Sequence, residues 1–343
     1  MTEVALSNKQ ASTEDKVARL RQASCYPGCP QRIDAIETHM SWVFLTDEHA
    51  YKLKKPVRYD FLDFSTLEAR RSDCNEELRL NRRLAPDVYL DVVPLTIDDT
   101  GMISVQGHGE IIDWLVKMPR LPAERMLDFT IKHKTLQEAD VRDLAHLLAS
   151  FYQHCPSIKF IAMQYRQEYG RQVSANLYAL AEARHGFSET HLKVIHDALS
   201  GFLRCEAGLF DYRAEQGRIV EGHGDLRPEH VCLEPVPVIF DCLEFNYSFR
   251  IVDVVDELSF LAMECDLLGA PNVGLVLFEV YGGICDDHPP LRLINFYKSY
   301  RACLRAKLAI WHIRELDPSG WPPWRDRANN YLFMAEQYAR LLS

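Results

Sequence analysis

Short runs of alternating apolar and polar residues dominate the first third of the chain. RIDAIETH, WVFLT and AYKLKK, separated by turn-like HMS and DEH segments, read as strands. Ser65 with Glu68 three positions later forms a capping-box pattern, and Pro86 bounds the stretch that follows, which predicts a helix over about 66–84. VYLDVVPLTI and EIIDWLVKM add two strands and lead to Met118, Pro119, Leu121 and Pro122, a stiff connector.

The remainder patterns as helix. Thr135 with Glu138 opens one segment that runs to about Cys155, a second covers 159–184, a third runs from Ser188 to Glu215, and helices dominate again after 252. Between them, RIVEGHGD, VCLE and VPVIFDCL are rich in β-branched and apolar residues and predict a small sheet. The expected organisation is a first domain over 1–117, a hinge over 118–123 and a second domain over 124–343. Neither an internal repeat nor a GxxxxGK[ST] phosphate loop is present.

Composition narrows the class. With 343 residues and 47% hydrophobic side chains, each part can bury a core. A formal charge of -10 argues against a nucleic-acid partner, which calls for a basic face. MTEVALSNKQASTEDK has no basic segment followed by an apolar run, and no stretch supplies the roughly 18 apolar residues of a membrane span, so the expectation is a cytoplasmic protein without a membrane partner. The ten cysteines form no CxxC array; Cys25 and Cys29, in a turn containing Pro and Gly, are the one close pair.

The candidate chemistry centres on His223-Gly224-Asp225-Leu226-Arg227-Pro228-Glu229-His230 and on the apolar strand that ends at Phe240-Asp241. Phosphoryl transfer needs one carboxylate to orient the acceptor hydroxyl and other oxygen ligands to hold metal against the phosphates. Two aspartates at the ends of neighbouring short strands can supply both. A turn cap at Asp225 and a strand end at Asp241 is the plain alternative for either residue taken alone.

These residues resemble the HGDxxxxN loop and downstream IDxE element of the aminoglycoside phosphotransferase family, which shares the protein-kinase fold. The resemblance implies Asp225 as catalytic base, Asp241 as principal metal ligand, Arg227 as a contact to the terminal phosphate and Glu244 as holder of a second metal or its water. His230 stands where the family has a metal-ligating asparagine. As a ligand its softer nitrogen would favour Mn²⁺ beside Mg²⁺; the other readings are a loop hydrogen bond or a weakened metal site.

In the first domain, strand alternation puts Ala50, Lys52 and Lys54 on one face and Lys55 on the other. Lys52 is the candidate phosphate-binding lysine, with Lys54 the second choice. STLEARRSDCNEELRLNRRLAP resembles the family's helix, whose glutamate lies seven residues before a closing leucine; Glu77 and Leu84 fit, and Glu77 is expected to pair with Lys52. A glycine-rich loop is missing, so Thr38, His39, Met40 and Ser41 are the candidates to line the phosphates. After Asp241, the resemblance gives Asp256 as a brace of the catalytic loop and Arg250 as partner to a nearby carboxylate.

The implied architecture is α+β: a bilobal protein-kinase-like fold with a small, mainly antiparallel β N-lobe carrying one key helix, and a larger helical C-lobe. ATP would lie between the lobes with adenine against Val116 to Met118, and Mg²⁺ or Mn²⁺ at Asp241. ETHMSWVFL, LDFSTLEARR and LRLNRRLAP look closest to an uncharacterised branch whose longer members carry an appended P-loop domain, expected to begin where this chain ends. The expected activity is phosphorylation of a small-molecule hydroxyl, aminoglycoside-like, sugar or amino alcohol. A non-catalytic ATP-binding regulatory module and a nucleotidyl transferase are the alternatives.

Overall fold

A computed structural model describes residues 11–59, 61–159, 162–182, 186–313 and 316–342. The strands in chain order are β1 (Asp34–Glu37), β2 (Ser41–Leu45), β3 (His49–Lys54), β4 (Arg58–Tyr59), β5 (Leu62–Asp63), β6 (Asp91–Ile97), β7 (Ile103–Val105), β8 (Glu110–Pro119), β9 (Ile219–Glu221), β10 (Val231–Cys232), β11 (Val238–Ile239) and β12 (Ile251–Asp253). The helices are α1 (Thr13–Leu20), α2 (Leu67–Asn81), α3 (Leu127–Lys132), α4 (Glu138–His154), α5 (Ala162–Leu180), α6 (Glu189–Cys205), α7 (Ala207–Glu215), α8 (Val254–Leu267), α9 (Pro271–Cys285), α10 (Leu291–Ile313) and α11 (Trp321–Ala339). They form two compact units, Met1–Ala123 with Val238–Tyr247, and Glu124–Pro237 with Ser248–Ser343.

Unit 1 is built on an antiparallel sheet of order β1-β2-β3-β8-β6-β7. Alternation gives the sheet two apolar faces. Phe44, Tyr51, Leu53, Val93 and Leu115 pack with Leu20 of α1 and Tyr26 on one. Ala50, Val116 and Met118 pack with Cys74 of α2 and Tyr89 on the other. The first cover, α1, was not anticipated; it has its own capping box, Ser12 with Asp15. Both covers are tied to β8 through buried Asp113, which pairs with Lys16 at 2.9 Å and with Arg70 at 2.8 Å.

The expected helix 66–84 is α2, but its cap is Thr66, whose hydroxyl accepts the N–H of Ala69; Ser65 donates to Asp63 instead. Unit 2 is mainly helical. The segment expected from Thr135 starts at Glu138, with Gln137 and Asp140 as its capping box, and the single helix expected over Ser188–Glu215 breaks at Glu206 into α6 and α7. RIVEGHGD supplies β9, which pairs antiparallel with β12, a short strand the sequence reading did not single out, and helices dominate after it as expected. Around α5, α6, α7, α10 and α11 lies one aromatic-rich core that includes Tyr169, Phe202, Phe210, Phe296 and Tyr331. Among the described residues no helix is long and apolar enough to cross a membrane.

Candidate active site

The alternation of β3 delivers Lys52 and Lys54 to the face covered by α2, and Glu77 of α2 meets both. Its Oε1 accepts from Lys52 Nζ at 2.8 Å, and its Oε2 lies 2.7 Å from Lys54 Nζ. Lys52 also donates to Asp241 Oδ1 at 2.6 Å. Lys54 lies 2.5 Å from Asp73 and pairs with Glu244. Burial opposes both ammonium charges, yet the carboxylates outweigh it: Asp241, Glu77 and Glu244 raise Lys52 well above its ordinary range, and Glu244, Glu77 and Asp73 do the same for Lys54.

Asp241 sits at φ +61°, a left-handed conformation costly for a residue with a Cβ. Two side chains hold the backbone there. Tyr89 Oη accepts the Asp241 N–H at 3.0 Å, and Asn81 Oδ1 accepts the Cys242 N–H at 2.8 Å. Glu244 stands three positions after Asp241, one further than the IDxE spacing.

Ser41 opens β2 and is buried. In its turn, the Thr38 hydroxyl accepts the Ser41 N–H, and the Thr38 N–H donates to the Ser41 carbonyl, so these groups are spent inside the turn. Val116 lies opposite Lys52 on β8, and its side chain and that of Met118 are buried with Ala50.

In unit 2, Asp225 lies between β9 and the short 3-10 turn Pro228–His230. Its carboxylate accepts from Arg227 Nε at 3.0 Å. Arg227 also meets His230 Nε2 at 2.9 Å; since a guanidinium only donates, that nitrogen accepts, and Nδ1–H donates to the Asp225 carbonyl at 2.8 Å. Both ring nitrogens of His230 are therefore engaged in the loop. Burial pushes the Asp225 carboxyl up, but nearby positive charge, that of Arg227 foremost and then Arg305, overcomes it and holds the group at about 2.

The brace of this loop is Glu257, not Asp256. Glu257 is fully buried and accepts the N–H groups of His223 at 2.8 and 2.9 Å and of Gly224 at 2.5 Å, together with the Tyr152 hydroxyl at 2.7 Å. A Cβ at Gly222 would collide with its carboxylate, which is why a glycine precedes the motif. Asp256, one position earlier on α8, points about 100° away and pairs with Arg301 at 2.7 and 2.6 Å. Arg250 pairs with Glu221 at 2.8 Å, joining β12 to β9.

Sequence reasoning missed Asp73, Asn81, Tyr89 and Glu257. Asp73 was reachable, because it lies one helical turn before Glu77 on the same face.

Among the described residues no group of three or more His, Cys, Asp or Glu is arranged as a metal cage. A magnesium ion shared with phosphates takes one or two protein carboxylates, the rest of its shell being phosphate oxygen and water. Asp241, a hard oxygen donor with a partly exposed carboxylate, fits that requirement.

No family model matches the chain. Uncharacterised proteins of Mycobacterium tuberculosis and Mycobacterium bovis are each 34% identical over 311 residues, covering 89% of this chain and 59% of theirs. The chain thus spans about three fifths of the length of the curated relatives it matches. Among solved structures, a choline/ethanolamine kinase family protein from Mesorhizobium loti superposes with a TM-score of 0.52 at 13% identity, covering 95% of this chain and 99% of that one. LicA in complex with AMP gives 0.50 at 13%, covering 96% and 100%. An aminoglycoside phosphotransferase from Alicyclobacillus acidocaldarius gives 0.47 at 14%, covering 98% and 96%. The chain has the α+β fold of the kinase-like proteins.

Proposed function

We propose that this protein is an ATP-dependent phosphotransferase acting on a hydroxyl of a small molecule. The observation that carries the reading is the Lys52–Glu77–Asp241 constellation: a partly buried ammonium fixed between a helix glutamate and a strained, partly exposed aspartate. Such a lysine is suited to neutralise phosphate oxygens, and Glu77 fixes it so that no ordering is needed when nucleotide arrives. The kinds of protein that share the fold support the reading, one belonging to the choline/ethanolamine kinase family and one seen with AMP.

In this reading Asp241 holds a divalent cation, Mg²⁺ or Mn²⁺, which when bound spreads the charge developing on the transferring phosphate. Asp225 orients the acceptor hydroxyl and takes its proton as the oxygen forms its bond to the terminal phosphorus and the bond to the departing ADP oxygen breaks. A carboxyl held at about 2 is a weak base, so its contribution is mainly alignment, as suits a loose transition state. In the same reading Arg227, fixed by its bond to Asp225, meets terminal-phosphate charge. His230, with its nitrogens spent on Arg227 and the Asp225 carbonyl, shapes the loop instead of binding metal. Val116 and Met118 form an apolar floor suited to adenine.

The competing reading, a nucleotide-binding module without turnover, is favoured by the Thr38–Ser41 turn, which spends donors that a phosphate loop would offer. Products formed from labelled ATP with Mg²⁺ or Mn²⁺ and a panel of alcohols, beside Asp225→Asn, separate the cases. Acceptor-dependent ADP lost in the variant supports phosphotransfer, tight binding without turnover supports the module, and pyrophosphate release identifies nucleotidyl transfer.

A further inference from the structure

Lys54 is one of the most deeply buried charges of unit 1. Its side chain is 1% exposed, and Asp73, Glu77 and Glu244, at 11%, 0% and 9%, gather around its ammonium group. Asp241, which pairs with Lys52, is 42% exposed. The four carboxylates therefore sit in two environments. Glu244 is enclosed with Lys54 away from solvent, whereas the contact of Asp241 to Lys52 can be replaced by phosphate oxygen and water from the open side.

Distance along the chain points the same way. Glu244 reaches Lys54 across 190 positions and Asp73 reaches it from α2, so one ammonium ties the segment carrying Asp241 to both the sheet and the helix. The Phe64 ring, 5.3 Å from the same nitrogen, adds an apolar wall.

We infer that Lys54 holds Glu244, with Asp73 and Glu77, in a buried ion cluster and so withholds Glu244 from the divalent cation that the phosphotransferase reading assigns to Asp241. This rests on the phosphotransferase reading for the cation and on the ion cluster alone for Lys54. It removes Glu244 from the metal ligands that the sequence suggested.

The test is made on the full chain with two readouts, Mn²⁺–ADP affinity by titration and melting temperature. Glu244→Gln is expected to lower the melting temperature by about 5 °C or more while changing Mn²⁺–ADP affinity less than about threefold. Asp241→Asn should do the reverse, weakening affinity more than about tenfold with little change in melting. A merely structural role for both residues would move the readouts together. Glu244→Gln weakening Mn²⁺–ADP as much as Asp241→Asn overturns the inference. If the wild-type protein binds no Mn²⁺–ADP, the functional reading falls, and Lys54 is judged by melting of Lys54→Met, Glu244→Gln and the double variant. Non-additive losses then uphold the cluster, and additive losses overturn it.

Discussion

Glu257 grips the backbone of His223, taking its N–H on both carboxylate oxygens at 2.8 and 2.9 Å. A buried acid thus satisfies backbone donors of a tight loop. The Asp225 side chain, two residues further on, inherits its position from this hidden contact.

Removing that acid should be costly. Glu257→Ala leaves the N–H groups of His223 and Gly224 and the Tyr152 hydroxyl without their acceptor in the interior, and is expected to lose about 3 kcal/mol or more in urea unfolding. Tyr152→Phe, which deletes a single donor to the charged group, should lose about 1 to 2 kcal/mol. A loss under about 1 kcal/mol for Glu257→Ala would show that the loop is held by other means.

The electrostatics of Asp225 predict its pH behaviour. Its folded value of about 2 lies below the ordinary 3.8, so the stabilisation it gives is complete above pH 4 and is lost as pH falls toward 2. In the proposed reaction, turnover should therefore show no acidic limb from this group between pH 5 and 9. Asp225→Asn should cut kcat about a hundredfold or more with nucleotide affinity retained. A pH–rate limb near 6 that disappears in Asp225→Asn would contradict this placement of the charge.

Much of unit 1 was legible because strand alternation is a rigid rule: once β3 was read, Lys52 and Lys54 had to share a face and Lys55 to leave it. Lys52 was put first and Lys54 second, but alternation could not tell that Lys54 is the more deeply buried, since that depends on Asp73 and Glu244, one from a helix and one from a segment 190 positions away. The loop motif announced Asp225 and Arg227 by residue type. Its brace did not, because Asp256 and Glu257 are adjacent acids and only the rotation of α8 decides which faces the loop. Helix α1 went unread because a short amphipathic segment gains its stability by covering the sheet, not from propensity.

Asp256 makes a different prediction from its neighbour. It and Arg301 form a buried bidentate pair with the Tyr169 hydroxyl donating to the same carboxylate at 2.6 Å. Arg301→Met strands a carboxylate in the core and should cost about 3 to 5 kcal/mol, whereas Arg301→Met with Asp256→Leu should recover most of it. Chemical denaturation of the wild type, Arg301→Met, Asp256→Leu and the double variant measures the coupling; additive losses would mean that the two charges are stabilised independently.

Lys307 predicts an opposite sign. Burial between α5 and α10 lowers it to about 8, its ammonium group donates to Asn176 Oδ1, and it lies 5.1 Å from the Trp311 ring. A folded value below the unfolded 10.5 means that the unfolded chain holds the proton more tightly, so this group makes the protein more stable as pH rises from about 8 to about 10.5 and penalises it below. Replacing lysine alone would orphan the buried Asn176 oxygen, so the informative variant is Lys307→Met with Asn176→Leu. It should exceed the wild type by about 1 to 3 kcal/mol at pH 7, and the advantage should shrink as pH approaches 10. An advantage that stays constant with pH would assign the gain to packing; its absence at pH 7 would show that Asn176 and Trp311 already offset the burial of the charge.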